Sequence, residues 1–311
     1  MPGRYRPGVR LRGAVVLVVA FAAAVVPAAA RATSTKPPFT SWTETFVDTS
    51  RPTAAGAATP AAPDRTLVTT IYRPKGTGPF PTIVFAHGSN GHPDKFTQLL
   101  GAWATAGYVV AAPAFPLTNA TVPENSKNIS DVVNQPADMS FVLTQLLREN
   151  RDRKSRLHGA IDRRHLGAAG LSLGGATTYG VVFDDCCRDR RFAAAMVLDG
   201  IHLPMSSSTG GQLRLDGHVP LLIAHSDTDP TIPYSTARAA YDEAKPPVWF
   251  VTLHGASHAT QWENDPTPYD SADEHLTVDF WDATLRGEKS AFARLQRDAT
   301  VPDLVSIESR R

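Results

Sequence analysis

Two rhythms of apolar residues alternate along most of this chain. Short unbroken apolar runs occur at Thr82–Ala86, Tyr108–Ala112, Leu166–Leu171, Ala193–Leu198, Val219–Ala224 and Val248–Leu253. Runs of this kind, too short for a helix, predict strands buried on both faces. Thr66–Tyr72 is β-branched and aromatic and is stopped by Pro74, Gly76 and Gly78, which predicts a strand and its turn. Between the runs lie segments with helical spacing. Lys95–Ala106 places Phe96, Leu99, Leu100 and Trp103 on one face, and Pro136–Arg148 does the same with Met139, Val142, Leu143, Leu146 and Leu147. Further helices are predicted at Ser172–Val182, Ser235–Ala244 and His275–Leu285. Strands alternating with helices specify an α/β fold, with a mostly parallel central sheet covered by helices on both faces.

The rest of the chain divides around this pattern. Residues 64–290 carry the alternation and form the predicted catalytic domain. Residues 33–63 are rich in Ala, Pro and Thr, with a possible edge strand at Trp42–Val47. Residues 291–311 read as a C-terminal tail. Two long loop-like stretches, Pro113–Asn134 and Gly200–Gly217, interrupt the domain, and neither is large enough for a cap domain. The N-terminus has a different character. Arg4, Arg6, Arg10 and Arg12 precede an apolar run from Ala14 to Val26 and a small-residue stretch ending at Ala32. That order is the signature of a secretory signal, so residues 1–32 are expected to be removed and the mature protein to be secreted or held in the cell envelope, without stable membrane insertion.

Removal of that segment changes the charge. The whole chain carries +1, and losing the five arginines before Thr33 makes it −4. A mildly acidic protein is poorly matched to nucleic acid or to an anionic membrane, which excludes those partners. The two cysteines, Cys186 and Cys187, are adjacent, and no spacing of His and Cys surrounds a metal. The pair reads equally as a disulfide or as two thiols. No metal or organic cofactor is expected.

Chemistry concentrates at Gly170-Leu171-Ser172-Leu173-Gly174-Gly175, between a predicted strand and a predicted helix. A serine on so tight a turn needs very small neighbours two residues either side. The turn lifts Oγ clear of the sheet and aims the helix N-terminus, with the Leu173 N–H, at an oxyanion. Such a serine needs a base oriented by an acid, in the order Ser, Asp, His. The loop after Val219–Ala224 offers Asp227 and Asp229, with Asp199 a further candidate, and residue type does not choose among them. The loop after Val248–Leu253 offers His254 at the strand end and His258 in the turn beyond. His87-Gly88-Ser89-Asn90 follows the strand Thr82–Ala86. Its Ser89 N–H is the expected second oxyanion donor, with Asn90 next, and His87, Gly88 and Asn90 are expected to border the substrate.

Taken together, His87-Gly-Ser, Gly170-Leu-Ser172-Leu-Gly-Gly, Asp229-Pro-Thr-Ile-Pro233 and Ala256-Ser-His258 resemble α/β-hydrolases related to dienelactone hydrolase, platelet-activating-factor acetylhydrolase and bacterial polyester hydrolases. The resemblance implies an α/β-hydrolase fold and a triad of Ser172, Asp229 and His258. The acid of that group precedes a Val/Ile/Ala-Pro pair, here Ile232-Pro233, which favours Asp229 over Asp227. Its base often follows Ala-Ser, which favours His258 over His254. Three departures stand out: Ser172 replaces the cysteine of dienelactone hydrolases proper, Ser89 stands where polyester hydrolases carry an aromatic residue beside the first oxyanion donor, and Leu171 replaces their His or Trp before the nucleophile. The expected activity is hydrolysis of carboxylic esters with short acyl chains, the alternatives being a lipase or polyester hydrolase and a peptidase or amidase. The expected partner is a small-molecule or lipid-like ester.

Overall fold

The alternation of the sequence becomes a nine-stranded sheet in the order β1-β2-β4-β3-β5-β6-β7-β8-β9. The computed structural model describes residues 1, 3, 39–205 and 212–311. The chain divides into two units, Met1–Thr35 and Lys36–Arg311, and all that follows concerns the second. The expected signal segment, residues 1–32, lies outside the described residues apart from Met1 and Gly3. No helix among the described residues is long and apolar enough to cross a membrane.

The strands are β1 (Phe39–Asp48), β2 (Arg65–Pro74), β3 (Phe80–Ala86), β4 (Val109–Ala114), β5 (Ile161–Leu171), β6 (Ala194–Leu198), β7 (Leu221–Ser226), β8 (Val248–Leu253) and β9 (Val305–Arg310). The helices are α1 (Thr97–Thr105), α2 (Gln135–Glu149), α3 (Leu173–Phe183), α4 (Tyr234–Glu243), α5 (Asp270–Thr284) and α6 (Ala291–Asp298). Strands β3 to β8 run parallel, while β1, β2 and β9 pair antiparallel at the two margins. This is the α/β-hydrolase fold.

Every residue of β4, β6, β7 and β8 is buried, as unbroken apolar runs require. Alternate side chains feed two cores. Val84, Leu166, Ala168 and Phe250 meet α2, α3 and α4 on one face. Phe85, Ala169, Leu171 and Trp249 meet α1, α5 and α6 on the other. A third, smaller cluster joins Val132, Leu173, Ala176 and Met205 beside the start of α3.

Three differences from the sequence reading matter. The edge strand is longer than Trp42–Val47, since all of Phe39–Asp48 pairs with β2. The loop Pro113–Asn134 is partly helical: 3₁₀ turns form at Glu124–Ser126 and Ile129–Asn134, and Asp131 in the second is pinned by buried Arg65. Residues 291–311 are not a tail. They form α6 and β9, and β9 pairs with the whole of β8. Cys186 and Cys187 are joined as a disulfide.

Candidate active site

Ser172 sits between β5 and α3 with φ +56°, a backbone conformation that L-residues adopt only where the surrounding structure holds them there. Its neighbours explain how. A Cβ on Gly170 would lie 2.1 Å from the Gly174 carbonyl oxygen, and one on Gly174 would lie 2.0 Å from that of Ala86. Both glycines are therefore steric necessities that let α3 approach β3 and β5. The Ser172 N–H is held by the Leu198 carbonyl at 2.9 Å. Every residue of α3 is buried, so the helix is packed on all sides.

The strand ends bring three of the expected residues together. His258 Nε2 lies 2.9 Å from Ser172 Oγ, and its Nδ1 lies 2.7 Å from Asp229 Oδ2. With the acid accepting from Nδ1–H, Nε2 is left as the acceptor for the serine proton. The Asp229 side chain is fully buried, and its other oxygen accepts the N–H groups of Thr231 at 2.7 Å and Ile232 at 2.9 Å. Those bonds lock the carboxylate in the orientation His258 needs. Gly88 packs against Ser172; a Cβ there would come within 3.1 Å of Ser172 Cβ.

The rivals pair with each other instead. Asp227 Oδ2 lies 2.8 Å from His254 Nδ1, and Asp227 Oδ1 accepts the Gly255 N–H at 2.7 Å. The four residues between which sequence chose by resemblance are thus two Asp-His pairs, one reaching Ser172 and one facing away from it. Asp199 is no member of either pair. It is fully buried, with Oδ1 accepting the Ser226 N–H at 2.8 Å, and Oδ2 accepting from Gln261 Nε2 at 2.5 Å and Trp262 Nε1 at 2.7 Å. Burial pushes its carboxyl up, against the pull of nearby His225.

That network is what sequence reasoning missed. Gln261 also donates to Ser226 Oγ at 2.7 Å, and Ser226 Oγ donates to the Ser257 carbonyl at 2.8 Å. The turn carrying His258 is thereby gripped at Ser257 before it and at Gln261–Trp262 after it. The only sequence signal was an aspartate closing β6 and a Gln-Trp pair shortly after His258. Donor atoms of Asp199, His225 and Asp229 lie within 4.8 Å of one another, a spacing that suits a cation. Each residue is already engaged, however: the two acids as described, and His225 through Nε2 to the Ile232 carbonyl at 3.0 Å. These donors fit the task of fixing the acid better than that of holding an ion.

The loop after β3 differs from expectation. His87, expected to border the substrate, is buried beneath it. Its Nδ1 is 2.7 Å from the Gly88 carbonyl and its Nε2 accepts the Phe115 N–H at 3.1 Å. Burial lowers its pKa to about 4, outweighing the bond to Gly88, so the ring is neutral and shapes the loop from inside. Asn90, with φ +58°, uses its N–H on the Thr118 carbonyl, and its Oδ1 accepts from Lys127 Nζ at 2.5 Å. Its backbone N–H is therefore not free for an oxyanion. The N–H groups of Ser89 and Leu173 donate to no other described residue, and Leu173 opens α3, where helix geometry leaves N–H groups unpaired.

A polar cleft of about 330 Å³, bordered by Trp42, Glu44, Lys154 and Arg156, opens at the β1 edge and contains none of these residues. The Ser172, Asp229 and His258 cluster lies apart from that cleft, at the strand ends.

The chlorophyllase family model matches residues 41–209, more than half of the chain. The chain belongs to the chlorophyllase family. No curated protein matches it. The chlorophyllase match runs from β1 past Ser172 and includes the loop after β3, while Asp229 and His258 lie beyond it. Membership brings the α/β-hydrolase fold and a hydrolase acting on esters, the same fold and broad chemistry as the groups whose motifs the sequence resembles.

Proposed function

We propose that this chain is an exported serine esterase that cleaves carboxylic esters of short acyl chains through an acyl-enzyme. The observation that carries the reading is the unbroken line Asp229–His258–Ser172, with separations of 2.7 and 2.9 Å. His258 takes the Ser172 proton as Oγ attacks the ester carbonyl, and Asp229 stabilises the imidazolium. The N–H groups of Leu173 and Ser89 receive the oxyanion. The same histidine returns the proton to the leaving alcohol and then activates water to free the acid.

The preference for short chains rests on what surrounds Ser172. A long chain gains about 0.8 kcal/mol for each methylene withdrawn from water, provided an apolar wall is there to receive it. Met205, in the loop after β6, is buried in the cluster with Val132 and Leu173 and is unavailable. Ile129, Val133 and Leu203 are exposed to solvent rather than enclosing a tunnel.

The test is a chain-length series of p-nitrophenyl esters, with chlorophyll, polyester film and a peptide amide as further arms. The specificity constant should peak between acetate and about hexanoate. Ser172→Ala, Asp229→Asn and His258→Ala should each lose about 10³-fold or more in kcat, while Asp227→Asn and His254→Ala stay near wild type. Turnover by Ser172→Ala at the wild-type rate would end this reading. A constant rising steadily to palmitate, or faster cleavage of film or amide, would replace its substrate.

A further inference from the structure

The Asp227–His254 pair that faces away from Ser172 ends on a serine of its own. His254 Nε2 lies 2.8 Å from Ser306 Oγ, while His254 Nδ1 lies 2.8 Å from Asp227 Oδ2. The line Asp227–His254–Ser306 therefore repeats, bond for bond, the line Asp229–His258–Ser172. It is built from the same strand ends. Asp227 follows β7 and His254 follows β8, as Asp229 and His258 do, and the serine comes from β9.

The backbone fixes this second line. Ser306 stands opposite Thr252 in the antiparallel ladder, so His254, two residues on from Thr252, is its diagonal neighbour on the same face. The His254 N–H donates to the Leu304 carbonyl at 2.9 Å, and the Tyr269 hydroxyl donates to the His254 carbonyl at 2.6 Å. Asp227 is oriented by the Gly255 N–H. Base and acid are both partly open to solvent, with side-chain exposures of 40% and 31%, and Ser306 is exposed. A small electrophile can reach it.

We infer that Ser306 is a second acylatable serine, activated by His254 and Asp227, that reacts with activated esters and organophosphates but does not turn over. Its Oγ attacks the carbonyl carbon of an aryl ester as the proton passes to His254 Nε2. The new Oγ–C bond forms, the C–O bond to the phenol breaks, and the phenolate departs with the bonding electrons. The imidazolium then releases its proton to water. Turnover fails because Ser306 lies within strand β9, with no helix N-terminus opening at it as α3 opens at Ser172. The nearby N–H groups of His254 and Gly255 are already bound to Leu304 and Asp227. Without such donors each acyl-transfer step slows by about 10²–10³-fold, and hydrolysis of the unactivated seryl ester suffers most.

The inference does not depend on the role proposed for Ser172, and the test removes that residue. Full-length Ser172→Ala protein is exposed to p-nitrophenyl acetate, and acetylated residues are located by peptide mass spectrometry. Acetyl should accumulate on Ser306 about 10²-fold faster than on other exposed serines, the low end of what a positioned base contributes. Adding His254→Ala should bring Ser306 down to that background, and adding Asp227→Asn should slow it. Ser306→Ala loses an exposed hydroxyl and its one bond to His254, so its fold is not at risk; in that background the acetyl should vanish rather than move. Equal acetylation of many serines, unchanged labelling in the His254→Ala variant, or acetyl confined to lysines would overturn the proposal.

Discussion

His87 shows how a residue can shape the loop beside Ser172 from inside the protein. Its Nε2 accepts the Phe115 N–H, which only a deprotonated nitrogen can do, and burial holds its pKa at about 4. An unfolded histidine titrates near 6.5, so the folded state binds this proton less tightly than the unfolded one. Its stabilising contribution is thus complete above pH 6.5 and is lost as the pH falls toward 4. Between pH 7 and pH 4.5 the wild type should lose about 2–3 kcal/mol through this group. Urea midpoints at the two pH values check it: a His87→Gln variant, whatever it costs at pH 7, should lose that much less on acidification. Parallel losses would mean that His87 is not the acid-sensitive group. The motif His87-Gly88 was legible in sequence, but its direction was not. Whether a histidine after a buried strand points at substrate or back into the core depends on what packs above it, here Phe115 from β4 and its loop.

At the scale of elements, the 3₁₀ turn Ile129–Asn134 is held by charge inside the protein. Arg65, fully buried on β2, donates to both oxygens of Asp131 at 3.0 and 2.8 Å and to both of Asp138 at 2.7 and 2.6 Å. Arg51 also reaches Asp138 at 2.7 Å. Val132, next to Asp131, packs on Leu173 at the mouth of α3, so this ion cluster secures one wall of the site. Arg65→Met should destabilise the protein by about 3–5 kcal/mol, because it strands buried Asp131, which no other cation among the described residues pairs with. The loss should lie toward the lower figure, since Arg51 still serves Asp138. Denaturant unfolding measures it, and a change below about 1 kcal/mol would show that water reaches the cluster. Strand and helix assignments were readable from apolar spacing because their cause is local. The ion cluster joins residues more than sixty positions apart, and an aspartate in a polar loop gives no sign that it will be buried.

For the molecule as a whole, the decisive difference between sequence and structure is its far edge. The α/β alternation made the sheet legible from Thr66 to Leu253, where the strands after β2 are dense apolar runs. Val305-Ser-Ile-Glu-Ser-Arg310 is short and two-thirds polar, so it read as tail, although Val305 and Ile307 alternate with exposed Ser306 and Glu308 as an edge strand should. Its place follows from what it covers. Strand β8 is apolar and buried throughout, and without β9 its outer backbone groups would be open to any passing strand. Several contacts fasten β9 to the body: Val305 enters the core, Glu308 pairs with Arg238, and Arg310 lies over the Tyr241 ring at 4.4 Å and donates to the Ala244 carbonyl at 2.9 Å. Deleting residues 299–311 removes all of these while leaving Ser172, Asp229 and His258 in place. The truncated chain should therefore melt at a lower temperature and associate through β8, which calorimetry and light scattering would register. What activity remains should belong to the monomer fraction, because the triad is bonded within β5, β7, β8 and their loops. A truncated chain as stable and as monomeric as the full protein would mean that β9 is an ornament on β8 rather than its cover.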